Sequence, residues 1–429
     1  MPVLLEVSCD PARLGLTGYP TARRYAAVPL CQHLLGYLDS TGHGAAGLEK
    51  ALDAVLSGTG ENSSLVCAVT AQGTLRTGET ARLLQADSGA LGVQLTISRP
   101  VQRAVEAVAA STMTSGCILV LDTATAAVRA SVSVPCYDPE RLADSLQAEN
   151  SPFLNRALQS YAVGSVFKPV LAAAALEAGL QPVFECTGAV VVDGQIFRCA
   201  GGVPHGQVDL AAALEKSCNG YFIRLGQQLG AESLLDAAKA FGFGQSLPLA
   251  EGLAAEAGQL PAPQELAQSG QLANFSFGQG SLLAAPMQVA ALFNTIAADG
   301  VYRSPYVLQA TLDETTGQPV ETLSHPRGRR VISAQNAALL RAMLVQVVQQ
   351  GTAQDAAGLS GGAGGKTGTA QTGQFTPEGT ERCNLWFAGF WPAEKPRYTI
   401  VVLQDGAVHT AYSGAAIFAQ VCNVLEAAG

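Results

Sequence analysis

Charge is scarce in this chain. Only 14% of residues are Asp, Glu, Lys or Arg, and 25 basic side chains face 34 acidic ones, for a net charge of −9. Nucleic-acid binding needs clustered Lys and Arg to neutralise phosphates, so that partner class is set aside. Long hydrophobic stretches are missing too. No run of 18 apolar residues exists, so no segment qualifies as a bilayer-spanning helix. Within 1–30, Asp10, Arg13, Arg23 and Arg24 interrupt any signal-peptide core. The ten cysteines include no C-x-x-C pair, which argues against zinc and redox motifs, and they are too sparse for a disulfide scaffold.

What is present is an Ala- and Gly-rich globular composition spread over 429 residues, more than one average domain. The reading is two domains, 1–95 as a smaller module and 96–429 as a larger one. In the first, Gln32–Leu38 reads as a strand, 47–56 as a helix ending at Gly58, and 61–95 as short strands with Gly-rich turns. In the second, a helix over 100–110 precedes two strands, 116–122 and 128–134, that pair naturally. A hairpin turning at Asp193-Gly194 lies between Cys186 and Cys199. Paired strands would bring those thiols close; a disulfide is open, and two unlinked thiols are the default. Helices follow at 208–216, 219–229 and 287–298. Residues 245–275 read as loop. Ser333 is placed to cap a helix over 334–350 with an apolar stripe at Leu340, Leu344, Val347 and Val348. Strands at 384–391 and 398–404 and a helix over 413–425 complete the chain. Strands at both ends of the larger module with helices between them favour an α+β fold, a mainly antiparallel sheet flanked by helices.

One stretch carries more chemistry than the rest. From Ser165 the run through Leu180 reads as a buried helix that stops at Gly179. Ser165 and Lys168 stand three apart, so they share a helix face near the N-terminus, where free backbone N–H groups favour negative charge. Ser-x-x-Lys alone is a loose pattern, usually a solvated pair. Here, though, the chain has only six lysines, and Lys168 alone has a serine three residues before it. Phe167, Pro169, Val170 and Leu171 give it an apolar setting. Two further stretches add polar groups. Ser217-Cys218-Asn219 follows a helix, so Ser217 and Asn219 can face one cleft. Lys366-Thr367-Gly368-Thr369 offers a cation and hydroxyls suited to a carboxylate, with glycines that let a ligand approach the backbone. A phosphate loop is the rival reading of Gly365-Lys366-Thr367. It fails because Ser360 stands where a glycine is required and no apolar strand precedes it.

S-x-x-K, S-x-N and K-T-G in that order are the signature set of penicillin-recognising serine enzymes. With them, the chain closely resembles the class B penicillin-binding proteins, the monofunctional peptidoglycan D,D-transpeptidases. The likeness extends to Asp138-Pro139 and Arg141, His205-Gly206, Phe277-Gly278-Gln279-Gly280 and Pro286-Met287-Gln288. Gln32–Gly36 with Gly47–Lys50 resembles the family's N-terminal pedestal. The resemblance implies a transpeptidase-like fold on a pedestal domain and acyl transfer to Ser165, with Lys168 as base and Ser217 as proton relay. It also implies substrate binding by Asn219, Lys366, Thr367, Gly368 and Thr369, and an oxyanion hole from the N–H groups of Ser165 and Thr369. No metal or organic cofactor is called for. Implied partners are peptidoglycan stem peptides, β-lactam antibiotics and a membrane glycosyltransferase. The implied location is the extracytoplasmic face of a bacterial membrane, in a chain whose anchor is not visible. There are departures. Ser98 stands where an aspartate is common, Ala126-Ala127 replaces a turn glycine, and 161–164 lacks a proline. None removes a catalytic group.

Three rivals share part of this pattern. A class A β-lactamase needs a glutamate on a loop after Ser217, whereas the nearest look-alike, 149–155, precedes Ser165. A D,D-carboxypeptidase differs only in using water as acceptor, and a β-lactam sensor or idle scaffold would not turn over.

Overall fold

The computed structural model describes Tyr25, 28–58, 64–72, 74, 76, 79, 82–84, 89–314, 316–325 and 327–428. Residues 1–24, on which most of the leader-segment expectation falls, and parts of 61–88 lie outside the described residues. Among the described residues no helix is long and apolar enough to cross a membrane.

The early segments correct the sequence reading. Gln32–Leu35 is a helical turn and not a strand, set between Cys31 (φ 57°) and Gly36 (φ 86°). Gly36 explains it. A Cβ there would lie 1.9 Å from the Ala46 carbonyl, so two backbones press together and the chain must reverse. The expected helix 47–56 is two short ones, Gly47–Ala51 and Asp53–Ser57, parted at Leu52. Leu91–Leu95 then pairs with Leu308–Asp313, a strand far along the chain.

Beyond it, helix α1 (Arg99–Thr112) buries Val101, Val105, Val108, Ala109 and Thr112, a stripe at helical spacing. Strands β1 (Gly116–Asp122) and β2 (Val128–Val134) pair antiparallel, as their sequences predict. Helix α2 (Lys168–Glu177) follows a tight turn at Gly164–Phe167, and α3 (Asn219–Leu229) follows a short link from helix Leu210–Glu215. The segment expected to be loop, 245–275, is folded: strands Leu247–Ala250 and Leu253–Ala255 pair, and helices Pro263–Leu266 and Ser269–Ser276 follow. Its alternation of buried Leu247 and Leu249 with exposed Pro248 is the strand signal that Gly and Pro content obscured.

Helix α4 (Pro286–Ala297) is buried at every position, and its polar Gln288, Asn294 and Thr295 side chains are all hydrogen-bonded. In α5 (Ala334–Gln349) the Ser333 hydroxyl accepts from the Asn336 N–H at 3.2 Å, and the predicted stripe is buried. Three long strands, β3 (Gly364–Phe375), β4 (Glu381–Trp391) and β5 (Tyr398–Ala407), and helix α6 (Gly414–Ala428) end the chain. The central sheet runs β3-β4-β5-β1-β2, antiparallel throughout. Helices cover both faces. Phe387 meets Phe418 of α6 at a 4.7 Å centroid distance, while Thr399, on the opposite face, donates to Asn294 of α4 at 3.0 Å. This is the α+β arrangement the strand clustering predicts. It leaves β3 as an edge.

Candidate active site

Ser165 lies in the tight turn that precedes α2 rather than in the helix proper, which opens at Lys168 with Pro169 in its first turn. Both neighbours of the serine are fixed. Gly164 has φ 66°, and its N–H donates to the Gly278 carbonyl at 2.8 Å. A Cβ on Gly278 would lie 2.0 Å from the Gly164 carbonyl, so the 277–280 loop clasps the nucleophile turn as only glycine allows. Behind the turn, Phe167 packs against Phe243 and Phe275 at centroid distances of 5.3 and 5.1 Å. The serine itself is partly open.

Lys168 is fully buried, and its Nζ lies 2.8 Å from the Ser217 carbonyl, 2.7 Å from Asn219 Oδ1 and 3.1 Å from Ser217 Oγ. A neutral amine has two N–H groups, which match the two pure acceptors and leave its lone pair for a hydroxyl. Burial pulls the same way, lowering its pKa from 10.5 to about 7. Ser217 holds a left-handed φ of 53° in the link between two helices, a strained setting for a non-glycine residue. Asn219 is the first residue of α3. Its Nδ2 donates to the Arg198 carbonyl at 2.9 Å, so both ends of the amide are held.

The Lys366–Thr369 stretch lies on β3, a strand that the glycine content hid from sequence reading. Those glycines have a packing role: a Cβ on Gly364 or Gly365 would strike the Phe390 or Phe387 ring at 2.3 or 2.4 Å. On the open side the strand meets the nucleophile turn. The Thr369 carbonyl lies 2.8 Å from where a Cβ on Gly164 would be, and a Cβ on Gly368 would come within 3.0 Å of Val166. In an extended strand the N–H and C=O of one residue point to the same edge, so the Thr369 N–H also faces the turn. Thr369 is exposed; Thr367 is half-buried, its hydroxyl 2.7 Å from that of Thr352. Lys366 is fully buried, with Nζ 3.2 Å from the Thr367 carbonyl. Burial holds its pKa well below the usual lysine value, and positive charge on Lys168, when present, adds to that depression.

Thus the structure brings the three sequence motifs together: the Ser165 turn meets the Ser217–Asn219 link through Lys168, and it meets the Lys366–Thr369 strand through Gly164 and Val166. It adds two positions that sequence did not single out. Trp386 Nε1 donates to the Ala162 carbonyl at 3.0 Å, tying the sheet to the approach to Ser165. The Arg198 carbonyl, on the hairpin, orients Asn219.

Comparison with known proteins agrees with this geometry. Residues 116–423 match the family "Penicillin binding protein transpeptidase domain". The chain is 32% identical to the peptidoglycan D,D-transpeptidase PbpA of Mycolicibacterium smegmatis, over 99% of this chain and 86% of that protein. A D,D-transpeptidase domain of a peptidoglycan glycosyltransferase from Eggerthella lenta superposes with a TM-score of 0.79 at 26% identity, covering 95% of this chain and 93% of that one. Penicillin-binding protein A of Mycobacterium tuberculosis, solved as its penicillin G acyl-enzyme, gives a TM-score of 0.74 at 26% identity, over 92% and 91% of the two chains. With its fold, its three motifs and these relatives in agreement, the chain belongs to the class B penicillin-binding proteins.

Proposed function

We infer that this chain is a serine D,D-transpeptidase that cross-links peptidoglycan stem peptides and is acylated by β-lactams. The observation that carries this reading is the buried Lys168, hydrogen-bonded to Ser217 and Asn219 and one turn from Ser165. The Ser165 hydroxyl passes its proton to Lys168 Nζ as Oγ attacks the carbonyl between the two terminal D-alanines. The oxyanion is held by the N–H groups of Ser165 and Thr369, each worth roughly 3–4 kcal/mol. Lys168 then returns the proton through Ser217 to the departing amine, the C–N bond breaks, and an ester on Ser165 remains. An amine from a second stem peptide attacks that ester, gives up its proton along the same relay, and frees Ser165.

Substrate binding sets the charges. An incoming carboxylate beside Lys366, Thr367, Gly368 and Thr369 favours the ammonium form of Lys366, and a charged Lys366 keeps Lys168 neutral. Asn219 would hold the peptide amide. Family membership supports two further parts of the proposal: a pedestal domain in 1–95 with the transpeptidase domain in 96–429, and work at the extracytoplasmic membrane face beside a membrane glycosyltransferase. The test is labelling by a fluorescent penicillin. Stable label that is absent from Ser165→Ala, with D-alanine release from a pentapeptide in the presence of an amine acceptor, is the expected result. Rapid loss of label, as in a β-lactamase, would overturn it, as would release with water as the only acceptor.

A further inference from the structure

Cys186 ends strand Phe184–Cys186, and Cys199 follows the hairpin strand Gln195–Arg198. His205 precedes strand Gly206–Val208, which pairs back onto Phe184–Cys186, and Cys218 is the N-cap of α3. Four separate segments thus deliver three thiols and an imidazole to one point, with all four donor atoms within 4.8 Å of one another. The spacings are specific. Cys186 and Cys199 sulfurs are 3.6 Å apart, those of Cys199 and Cys218 are 3.9 Å apart, and Cys186 Sγ is 3.5 Å from His205 Nδ1.

Two plain explanations fit these distances poorly. A disulfide brings sulfurs to about 2.05 Å and uses two of them, leaving a third thiol and an imidazole crowded against it without a role. Core cysteines packed as small hydrophobes have no reason to converge on an imidazole nitrogen. A tetrahedral zinc ion with Zn–S of about 2.3 Å and Zn–N of about 2.0–2.1 Å sets its ligands apart by about 3.8 Å for S···S and about 3.6 Å for S···N. The three short donor pairs here fall at those spacings, and the remaining pairs lie within 4.8 Å. Three soft thiolates and one imidazole in a tetrahedron select zinc over oxygen-preferring cations.

We propose that Cys186, Cys199, His205 and Cys218 bind one structural zinc ion that fastens the hairpin to the Ser217–Asn219 motif. On binding, the three thiols release their protons to solvent and the imidazole ligates as the neutral ring. The site is closed by four protein ligands, so it leaves no position for substrate and takes no part in bond making. Its action is positional. Cys218 lies between Ser217 and Asn219, and Cys199 adjoins Arg198, whose carbonyl holds the Asn219 amide. The zinc therefore fixes both backbone anchors of the groups around Lys168. The sequence argument against a zinc motif rested on the lack of a C-x-x-C pair, but here no two ligands are that close in the chain, and the family resemblance, which calls for no metal in the reaction, did not point to one either.

The test is made on the intact chain, purified under reducing conditions and incubated with zinc. Native mass spectrometry and metal analysis should give one zinc per chain. Cobalt exchange should give the intense sulfur-to-metal charge-transfer and d–d bands of a tetrahedral thiolate site, a signature that does not depend on activity. Cys199→Ser and His205→Ala should lose the metal, and Cys136→Ser, a distant exposed cysteine, should keep it. Failure of native chain to take up zinc or cobalt overturns the site, as does a Cys186–Cys199 disulfide found in native protein by a 2 Da mass loss. If the variants do not fold, X-ray absorption on native protein decides between one nitrogen with three sulfurs and any other shell. The positioning role alone rests on the transpeptidase reading. It predicts that chelation slows penicillin acylation of Ser165 at least tenfold with zinc restoring the rate, and an unchanged rate in metal-free protein refutes that role while leaving the site.

Discussion

Lys168→Met removes the amine while keeping an unbranched stem of similar length, and it exposes a linkage that no other group at this position would produce. Burial lowers the Lys168 pKa to about 7, whereas the unfolded chain titrates there near 10.4. Between those values the unfolded state holds a proton that the folded state has lost, so stability rises with pH across that window. From pH 7 to pH 9 this group adds about 2 kcal/mol of stability, a gain that levels off as pH passes the unfolded value. Methionine removes the gain. It also strands the Ser217 carbonyl and Asn219 Oδ1 without a donor, at about 1–3 kcal/mol each, which obscures the absolute change but not its pH dependence. Urea denaturation of both proteins at the two pH values should therefore show the difference, native minus variant, grow by about 2 kcal/mol. Acylation by a fluorescent penicillin should fall roughly 10²–10⁴-fold in the variant. In the native chain its rate should drop about tenfold per pH unit below the Lys168 pKa as the neutral form is depleted. Parallel stability curves, or acylation undiminished at pH 5, would refute a neutral buried lysine.

Three further outcomes follow from single contacts. Arg156→Ala should destabilise by about 3 kcal/mol in urea titrations, because Arg156 is only 3% exposed and pairs with Asp405 at 2.9 Å, which would be left without its partner. Gly368→Ala places a methyl 3.0 Å from Val166 in the gap between β3 and the nucleophile turn; penicillin acylation should slow about ten- to hundredfold with the fold intact by circular dichroism. Ser333→Ala deletes the hydroxyl that caps α5, and chemical denaturation should report a loss of about 1 kcal/mol.

The site shows which signals a linear sequence can carry. Ser165 and Lys168 were legible because a single helical turn links them and because lysine is rare here. The sheet's inner strands were legible from apolar runs such as 116–122. The strand bearing Lys366 was not, since Gly364, Gly365 and Gly368 serve packing against Phe390, Phe387 and Val166, and those partners come from elsewhere in the chain. Gln32–Leu35 failed for a like reason: its turn is imposed by the Gly36–Ala46 backbone contact, not by its own pattern. At 245–275 Gly and Pro drew attention from a two-residue alternation that burial makes plain.

What the sequence by itself determined is the local chemistry: a hydroxyl and an amine one turn apart, two more polar motifs in fixed order, and the periodicity of the elements that bear them. Their meeting was decided by tertiary structure. Sheet order left β3 as an open edge against the Ser165 turn, packing buried both lysines, and four scattered segments brought Cys186, Cys199, His205 and Cys218 together. The reason is physical. Residue type and spacing fix what a group can do and which face it takes, whereas desolvation and the distance between remote groups exist only once the chain has closed on itself.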